Sequence, residues 1–414
     1  MQNAILDFKE NMKYGLKWIM ISLLLGSICG VVGAVFHHAI DAATELREMN
    51  HFLVYLMPLG GLFIVFLYNV VGLKNQPGTN TIINSVRQQD SVPKILAPAI
   101  FVGTVITHLV GGSSGREGAA LQIGGSIATT LGNLLKIDEK DMSILIMCGM
   151  TAVFSALFGT PITATIFSME VVSVGIFYYS ALVPCLCSSL VAFFTAKLFG
   201  CSSVIYTLKD ILVIDVQSFI SLIGLAICIA IVSILFVMLM HKTHHLFNDT
   251  FKNSYLRVVI GSIILIILVL IFGHDYLGAG MHVVDQAIYG QVNPYDFILK
   301  AIFTAITIGC GFKGGEIVPT FFIGATLGAT IGPLLGLDPS VCAALGMVGM
   351  FSCVVNSPIT SIILGIEIFG NQNLLPFTII VAFCYIFSGY FSLYHAQKFV
   401  YSKTKAEFIN KDAI

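Results

Sequence analysis

Charge is what this sequence has least of. Only 10% of its 414 residues are Asp, Glu, Lys or Arg, while 57% are hydrophobic. A soluble domain of this length carries roughly a quarter charged residues, so the deficit excludes a water-soluble protein with a single anchor. Catalytic fingerprints are missing as well. No HExxH, P-loop, G-x-S-x-G or dinucleotide-binding glycine pattern stands in a fitting context. Neither an enzyme nor a cofactor is expected, and nothing marks nucleic-acid binding. The ten cysteines show no C-x-x-C spacing. Most, such as Cys29, Cys148, Cys185, Cys187, Cys228, Cys342, Cys353 and Cys384, lie inside apolar segments. They read as small apolar side chains rather than disulfides or metal ligands.

What is present is apolar length. Trp18–Ile40, Phe52–Val71, Phe219–Met240, Val258–Phe272 and Leu374–Phe391 are runs long enough to enter hydrocarbon. The chain is therefore read as polytopic from end to end, in the cell (inner) membrane. The net charge of −1 says little about partners. The placement of the lysines says more, because Lys9, Lys13 and Lys17 precede the first run and Lys398, Lys403, Lys405 and Lys411 follow the last. The positive-inside rule puts both termini in the cytoplasm. The first run is too long and too glycine-broken for a cleaved signal, so it is expected to be retained.

The two halves of the chain match. Gly115-Arg-Glu-Gly-Ala-Ala-Leu-Gln-Ile-Gly-Gly-Ser answers Gly314-Gly-Glu-Ile-Val-Pro-Thr-Phe-Phe-Ile-Gly-Ala, and Phe158–Glu170 answers Val355–Glu367. Upstream, Leu73–Ser85 pairs with Leu277–Ala287. Glu117 and Glu316, Pro161 and Pro358, and Gly78 and Gly280 each lie about 200 residues apart. Repeats of this kind are common in transporter folds, with sites where the halves meet near the midplane. The glycines crowd the same blocks. Gly111-Gly-Ser-Ser-Gly and Gly309-Cys-Gly-Phe-Lys-Gly-Gly each interrupt an apolar stretch and launch a new helix. Broken backbone at membrane depth persists only where protein or an aqueous cavity satisfies it. A helix starting there aims free N–H groups and a positive dipole end at whatever lies beyond, which suits an anion. Gly124, Gly125, Gly328 and Gly332 fit close helix packing instead.

Glu117, Glu170, Glu316 and Glu367 sit in apolar surroundings, and a carboxylate there is costly enough to need a reason. Glu170 and Glu367 stand at the far ends of the two Pro-Ile-Thr helices, where a structural and a functional role are both open. Glu117 stands at the first turn of a glycine-launched helix. A carboxylate there competes with a transported anion and leaves when protonated, a gate and a proton carrier in one residue. Glu316 is read as holding the matching place in the other half, as a second coupling group or as a capping residue facing the cytoplasm. His241, His244 and His245 are expected in a polar connecting loop, and no metal site is expected.

On these motifs the chain resembles the CLC family of anion channels and transporters. Gly115-Arg-Glu-Gly resembles its gating-glutamate motif and Gly314–Pro319 its second-half anion-binding motif. Phe158–Glu170 resembles the helix carrying a first-half signature, and Val400-Tyr401-Ser402 the segment whose tyrosine hydroxyl points at the central anion. The resemblance runs from about residue 73 to 402. It implies an all-α polytopic membrane protein, an inverted repeat of two halves with broken, tilted helices. The halves are expected at residues 1–200 and 201–414, with no cytoplasmic regulatory domain because the chain ends at Ile414. A homodimer with one pathway per subunit is implied. So are Glu117 as external gate, Glu316 as coupling group, and Tyr401, Gly118, Ile317 and Val318 as anion ligands. Arg116, Asn80 and Thr79, the last standing where chloride-type members have serine, complete the expected anion-binding set.

Four departures point within the family. Chloride-type members have Gly-Ser-Gly-Ile-Pro where this chain has Gly78-Thr-Asn-Thr-Ile, and proline where it has Ala119. They lack an acid at Glu316, and their proton-coupled members carry a glutamate where this chain has Val171. All four resemble the fluoride-exporting branch, which exchanges fluoride for protons. A chloride/proton antiporter or a passive chloride channel on the same fold is the alternative.

Overall fold

The structure, a computed structural model, describes residues 2–74, 76–88, 90–208 and 210–414. Among these residues helix dominates. In chain order the first eight helices are α1 (Gln2–Met49), α2 (Met57–Val70), α3 (Thr79–Gln88), α4 (Leu96–Leu109), α5 (Glu117–Leu134), α6 (Glu139–Phe158), α7 (Pro161–Glu170) and α8 (Leu182–Leu198). They are followed by α9 (Val216–Thr250), α10 (Ser254–Phe272), α11 (Met281–Ile288), α12 (Asp296–Cys310), α13 (Ile317–Ile331), α14 (Pro339–Val355), α15 (Pro358–Phe369) and α16 (Leu374–Phe387). A small sheet closes the chain: β1 (Ser173–Val174) pairs parallel with β2 (Lys398–Tyr401), which pairs antiparallel with β3 (Phe408–Asp412).

Seven helical segments of the described chain are long and apolar enough to cross a membrane, among them residues 9–49, 139–158, 216–250 and 317–335. α1 has 48 residues, roughly 70 Å at 1.5 Å per residue, more than twice the hydrocarbon thickness. Helix starts and stops follow local chemistry. Asp138 caps α6 by accepting the Asp141 N–H at 2.9 Å, and Asp338 caps α14 by accepting the Val341 N–H at 2.9 Å. α6 ends on Gly159 and α14 on Asn356, both left-handed. α7 and α15 then each begin on a proline, whose missing N–H costs nothing at a first helical position. One structural grammar is thus written twice.

Two layers of helices lock together through glycine. A β-carbon on Gly124 of α5 would sit inside the backbone carbonyl of Gly149 in α6, and one on Gly328 of α13 inside that of Cys342 in α14. Backbones this close admit no side chain. Between the pairs runs a chain of rings: Phe154 to Phe167 at 5.3 Å, Phe167 to Phe351 at 5.9 Å and Phe351 to Phe321 at 5.4 Å. α9 runs unbroken through His241, His244 and His245, so the expected loop there is helix. No Gly or Pro interrupts His241–Thr250, and the helix continues until Phe251.

Candidate functional site

α5 and α13 start head to head in the interior. Their leaders cross as an isolated antiparallel bridge in which the Gly115 N–H donates to the Gly315 carbonyl and the Gly315 N–H to the Gly115 carbonyl, each at 2.7 Å. Threonines reinforce the crossing reciprocally. The Ser113 N–H donates to Thr307 Oγ1 at 3.1 Å, and the Lys313 N–H to Thr107 Oγ1 at 3.3 Å. Glycine is required here because a β-carbon on Gly315 would lie 2.6 Å from the Gly118 nitrogen, and one on Gly118 only 3.1 Å from the Gly315 α-carbon. Neither α5 nor α13 has a side-chain cap, so their first-turn N–H groups face the crossing with positive dipole ends converging on it. Thr79, at the start of α3, is buried beside them with its hydroxyl 3.4 Å from the Gly118 carbonyl.

Into this place reach the polar side chains that matter. Glu117 is fully buried and folds back over Gly115 toward the Val318 backbone. Both of its carboxylate oxygens, the Ser114 hydroxyl and the Tyr394 hydroxyl are buried without a hydrogen-bond partner. Tyr394 lies within electrostatic reach of both Glu117 and Glu316. Glu316 is half-buried on the wall of a cavity of about 670 Å³, which also takes in Thr79, Gln122, Lys313 and Tyr394. An acceptor pair and two uncapped helix ends therefore share one dry spot beside a roomy polar cavity, and the buried Tyr394 hydroxyl belongs to that cavity's lining. That is what a desolvated anion needs.

The structure moves several expected site residues elsewhere. Tyr401 is 48% exposed on β2 and stacks edge-on against Phe408, because the strand turns it outward. Tyr394, only 1% exposed, is the tyrosine at the site. Its segment is pinned on both sides. The Leu393 N–H donates to the Val354 carbonyl at 3.0 Å, and the Ala396 N–H to Asn80 Oδ1 at 2.9 Å. Asn80 is accordingly a positioning residue for Tyr394, and its amide nitrogen donates to the Pro77 carbonyl. The Arg116 guanidinium turns away from the crossing toward α1, contacting His37 Nδ1 at 2.6 Å and Asp41 at 3.3 Å. Gly118, Ile317 and Val318 remain at the crossing as backbone.

The match between Glu117 and Glu316 is also out by one. Arg116 (φ −110°, ψ −10°) and Glu316 (φ −101°, ψ −11°) are the equivalent cap residues, so Glu117 corresponds to Ile317. One position at a helix start swings a side chain by about 100°. Glu117 points into the crossing, whereas Glu316 opens on the cavity.

Glu170 and Glu367 serve the other two broken helices. Glu367 accepts the N–H groups of Ile162 (3.0 Å) and Thr163 (2.7 Å) at the start of α7. Glu170 accepts those of Ile359 (3.1 Å) and Thr360 (2.9 Å) at the start of α15, and the Thr360 hydroxyl at 2.6 Å. Each glutamate ends one helix and caps the other, so these helix ends are filled while those of α5 and α13 stay free. Glu170→Ala is expected to cost roughly 3 kcal/mol of stability, because three charge-assisted bonds go and buried donors are stranded. Half-buried Glu367→Ala should cost less. Thermal unfolding in detergent reads the loss, and transport per folded molecule should be unchanged. Lost transport at unchanged stability would assign these acids to the pathway instead.

The fold has counterparts among known proteins. A family model described as voltage gated chloride channel matches residues 60–389. The chain is 31% identical over 399 residues to a chloride/fluoride channel protein of Pseudomonas syringae pv. tomato, covering 94% of this chain and 88% of that protein. It is 22% identical over 388 residues to an H+/Cl− exchange transporter of Vibrio campbellii, covering 86% and 83%. Among solved structures it superposes on a CLC-type fluoride/proton antiporter with a TM-score of 0.89 and 34% identity, over 92% of this chain and 98% of the other. A slow cyanobacterial Cl−/H+ antiporter shares the fold at a TM-score of 0.78 and 20% identity, over 90% and 94%.

Proposed function

The chain belongs to the voltage gated chloride channel family, and on that premise we propose that it expels fluoride in exchange for protons. One observation carries the reading: two acids of different exposure, Glu117 buried in the crossing and Glu316 on the cavity wall that Tyr394 also lines, stand beside the two uncapped helix starts. Fluoride holds its water tightly, so a site must replace that shell with dense, strong donors. The first-turn N–H groups of α5 and α13, the Tyr394 hydroxyl and Thr79 supply them. Fluoride is also a far stronger base than chloride and can share a proton with a neighbouring carboxylic acid. With only valine at position 171, Glu117 and Glu316 are the acids at the site through which proton and anion are coupled. Ionised, the Glu117 carboxylate competes with the anion for the helix ends. Protonated, it yields the place and carries the proton with it.

The two half-repeats, residues 1–200 and 201–414, belong to the same proposal. So do a homodimer with one pathway per subunit, and an inner-membrane setting with both termini cytoplasmic. The names of the P. syringae relative and of the fluoride/proton antiporter structure support the choice of ion. Ion flux from liposomes of purified protein under a proton gradient, with fluoride and chloride in turn, tests it. Fluoride is expected to move far faster and to drive protons the opposite way. Equal chloride flux, or fluoride flux without protons, would leave the fold and overturn the choice of ion or of coupling.

The two tyrosines should separate cleanly. Tyr394→Phe removes one donor to an anion, worth roughly 1.5–3 kcal/mol, so anion affinity should fall about 10- to 100-fold with the fold intact. Tyr401→Phe should leave affinity unchanged. Calorimetric titration of both proteins with fluoride is the check, and the reverse pattern would restore Tyr401 to the site.

A further inference from the structure

Among the described residues the Tyr394 hydroxyl has no hydrogen-bond partner, so its place has to be set from the backbone behind it. The repeat shows where. α6 and α14 both end on a left-handed residue, Gly159 in one and Asn356 in the other. Glycine takes that conformation at no steric cost and a side chain does not, so the asparagine needs a reason. It is fully buried, and both of its amide hydrogens are used. Its Nδ2 donates to the Phe391 carbonyl at 2.9 Å and to Gln397 Oε1 at 3.1 Å, while its Oδ1 accepts from the Lys403 ammonium at 2.6 Å. Lys403 also donates to the Tyr385 carbonyl at 2.8 Å, near the end of α16. Gln397, fully buried too, is used completely. Its Nε2 donates to the Val171 and Val355 carbonyls, each at 2.8 Å, and its Oε1 accepts from Asn356 and from Ser392 Oγ, the latter at 2.9 Å. That is four bonds from a side chain that can make four. Val171 caps α7 and Val355 ends α14, so one amide takes up carbonyls at the ends of two helices distant in sequence. Ser392 closes the circuit, because its oxygen accepts the Tyr394 N–H at 3.1 Å.

We propose that Asn356 and Gln397 are positioning residues for Tyr394: a polar frame, tied to the ends of α7, α14 and α16 and closed through Ser392, that sets the tyrosine hydroxyl where an anion meets it. No atom of the frame has to touch the anion. An ammonium can only donate and a backbone carbonyl can only accept, so Lys403 and the helix ends fix which way both amides face. A buried polar network adds rigidity when its members are satisfied and costs stability when they are not, and here both amides are satisfied. Hydrogen bonds weaken steeply as their angle closes, so a small loss of register in residues 391–397 is felt at the hydroxyl. Ending a helix does not by itself require the asparagine, since Gly159 ends α6 with no side chain at all. The inference rests on the reading of Tyr394 as a donor to the transported anion, and not on which anion that is.

Asn356→Gly is the gentle test, because glycine suits the left-handed backbone and repeats what stands at position 159. Gln397→Met keeps the volume and removes all four bonds. Calorimetric titration of purified Asn356→Gly, with fluoride and with chloride in turn, should show anion affinity lowered roughly three- to tenfold, the effect of one donor held out of line. With Tyr394→Phe already in place, adding Asn356→Gly should lower affinity no further, since the frame acts through the hydroxyl. A residue that only stabilises the fold would lower the unfolding temperature in both backgrounds and leave the two affinity losses additive. Fluorotyrosine placed at position 394 gives a second readout that needs no anion. Its fluorine resonance in detergent should be one sharp line in the parent, and shifted or broadened in Asn356→Gly and in Gln397→Met. An unmoved line, an unchanged affinity in Asn356→Gly, or additive losses would overturn the frame. If Tyr394→Phe alone costs no affinity while the line still moves in Asn356→Gly, the frame holds the ring and the reading of Tyr394 as an anion donor is what fails.

Discussion

Glu117→Gln is expected to reduce proton movement coupled to fluoride to background, a fall of roughly 100-fold or more for a group whose proton transfer is the step itself. The replacement is close to isosteric, and among the described residues neither carboxylate oxygen has a side-chain hydrogen-bond partner, so no side-chain partner is stranded. What is lost is the change of charge. Glutamine can neither compete as an anion for the first-turn N–H groups of α5 and α13 nor take up a proton and withdraw. The protein should remain folded, with an unfolding temperature near that of the parent. Proton uptake driven by a fluoride gradient in liposomes is the measurement. Full proton-driven fluoride transport by the substituted protein would remove Glu117 from the gate.

A second large effect is expected far from any titratable group. Alanine at Gly328 drives a methyl into the Cys342 carbonyl, and alanine at Gly124 drives one into the Gly149 carbonyl. Overpacking costs typically 1–3 kcal/mol where side chains can yield. Backbone cannot yield without separating the helices, so about 3 kcal/mol or more is expected for each. α13 and α5 carry the site at their first turns, and pushing them off their partners moves those turns. Stability and transport per folded molecule should both fall. Gly15→Ala is the control, since open space surrounds that position and alanine in a helix is favourable. Unfolding temperature in detergent and flux at matched amounts of folded protein separate the three. Normal transport by Gly328→Ala would mean the crossing tolerates displacement.

The parts of this fold that were legible in sequence are those written in local chemistry. Apolar length marked the membrane, glycine clusters marked the broken helices, and a glutamate after Gly115-Arg marked the buried acid at the crossing. Side-chain direction was not legible, because partners distant in sequence decide it. Arg116 turns toward His37 and Asp41 in α1, and Asn80 toward the backbone of Ala396. Nothing beside either residue foretells it. Tyr394 and Tyr401 both follow the last apolar helix, and only the sheet formed with Ser173–Val174 and Phe408–Asp412 turns one of them outward. The pairing of Glu117 with Glu316 failed for a related reason. Letters align best one residue away from where the backbones align, and a helix start converts that slip into a different direction. One signal could have corrected it: Gly115 and Gly315, Thr107 and Thr307, and the launched helices at 117 and 317 all share a single spacing.

The exchange of caps between Glu170 and Glu367 bears on how such a molecule could have arisen. A half-length chain holding only α7 would bury a carboxylate with no N–H groups to receive and leave its own helix start bare. Two copies of that half-length chain, inserted in opposite orientations, would supply each other with both. The cap now made within one polypeptide is the contact an ancestral pair of identical, oppositely oriented subunits would already have made, so fusing their genes would have required no new interaction. Separate expression of residues 1–200 and 201–414 would test that history: Glu170 lies in one and the Ile359 and Thr360 N–H groups it receives in the other, so neither part alone completes the exchange.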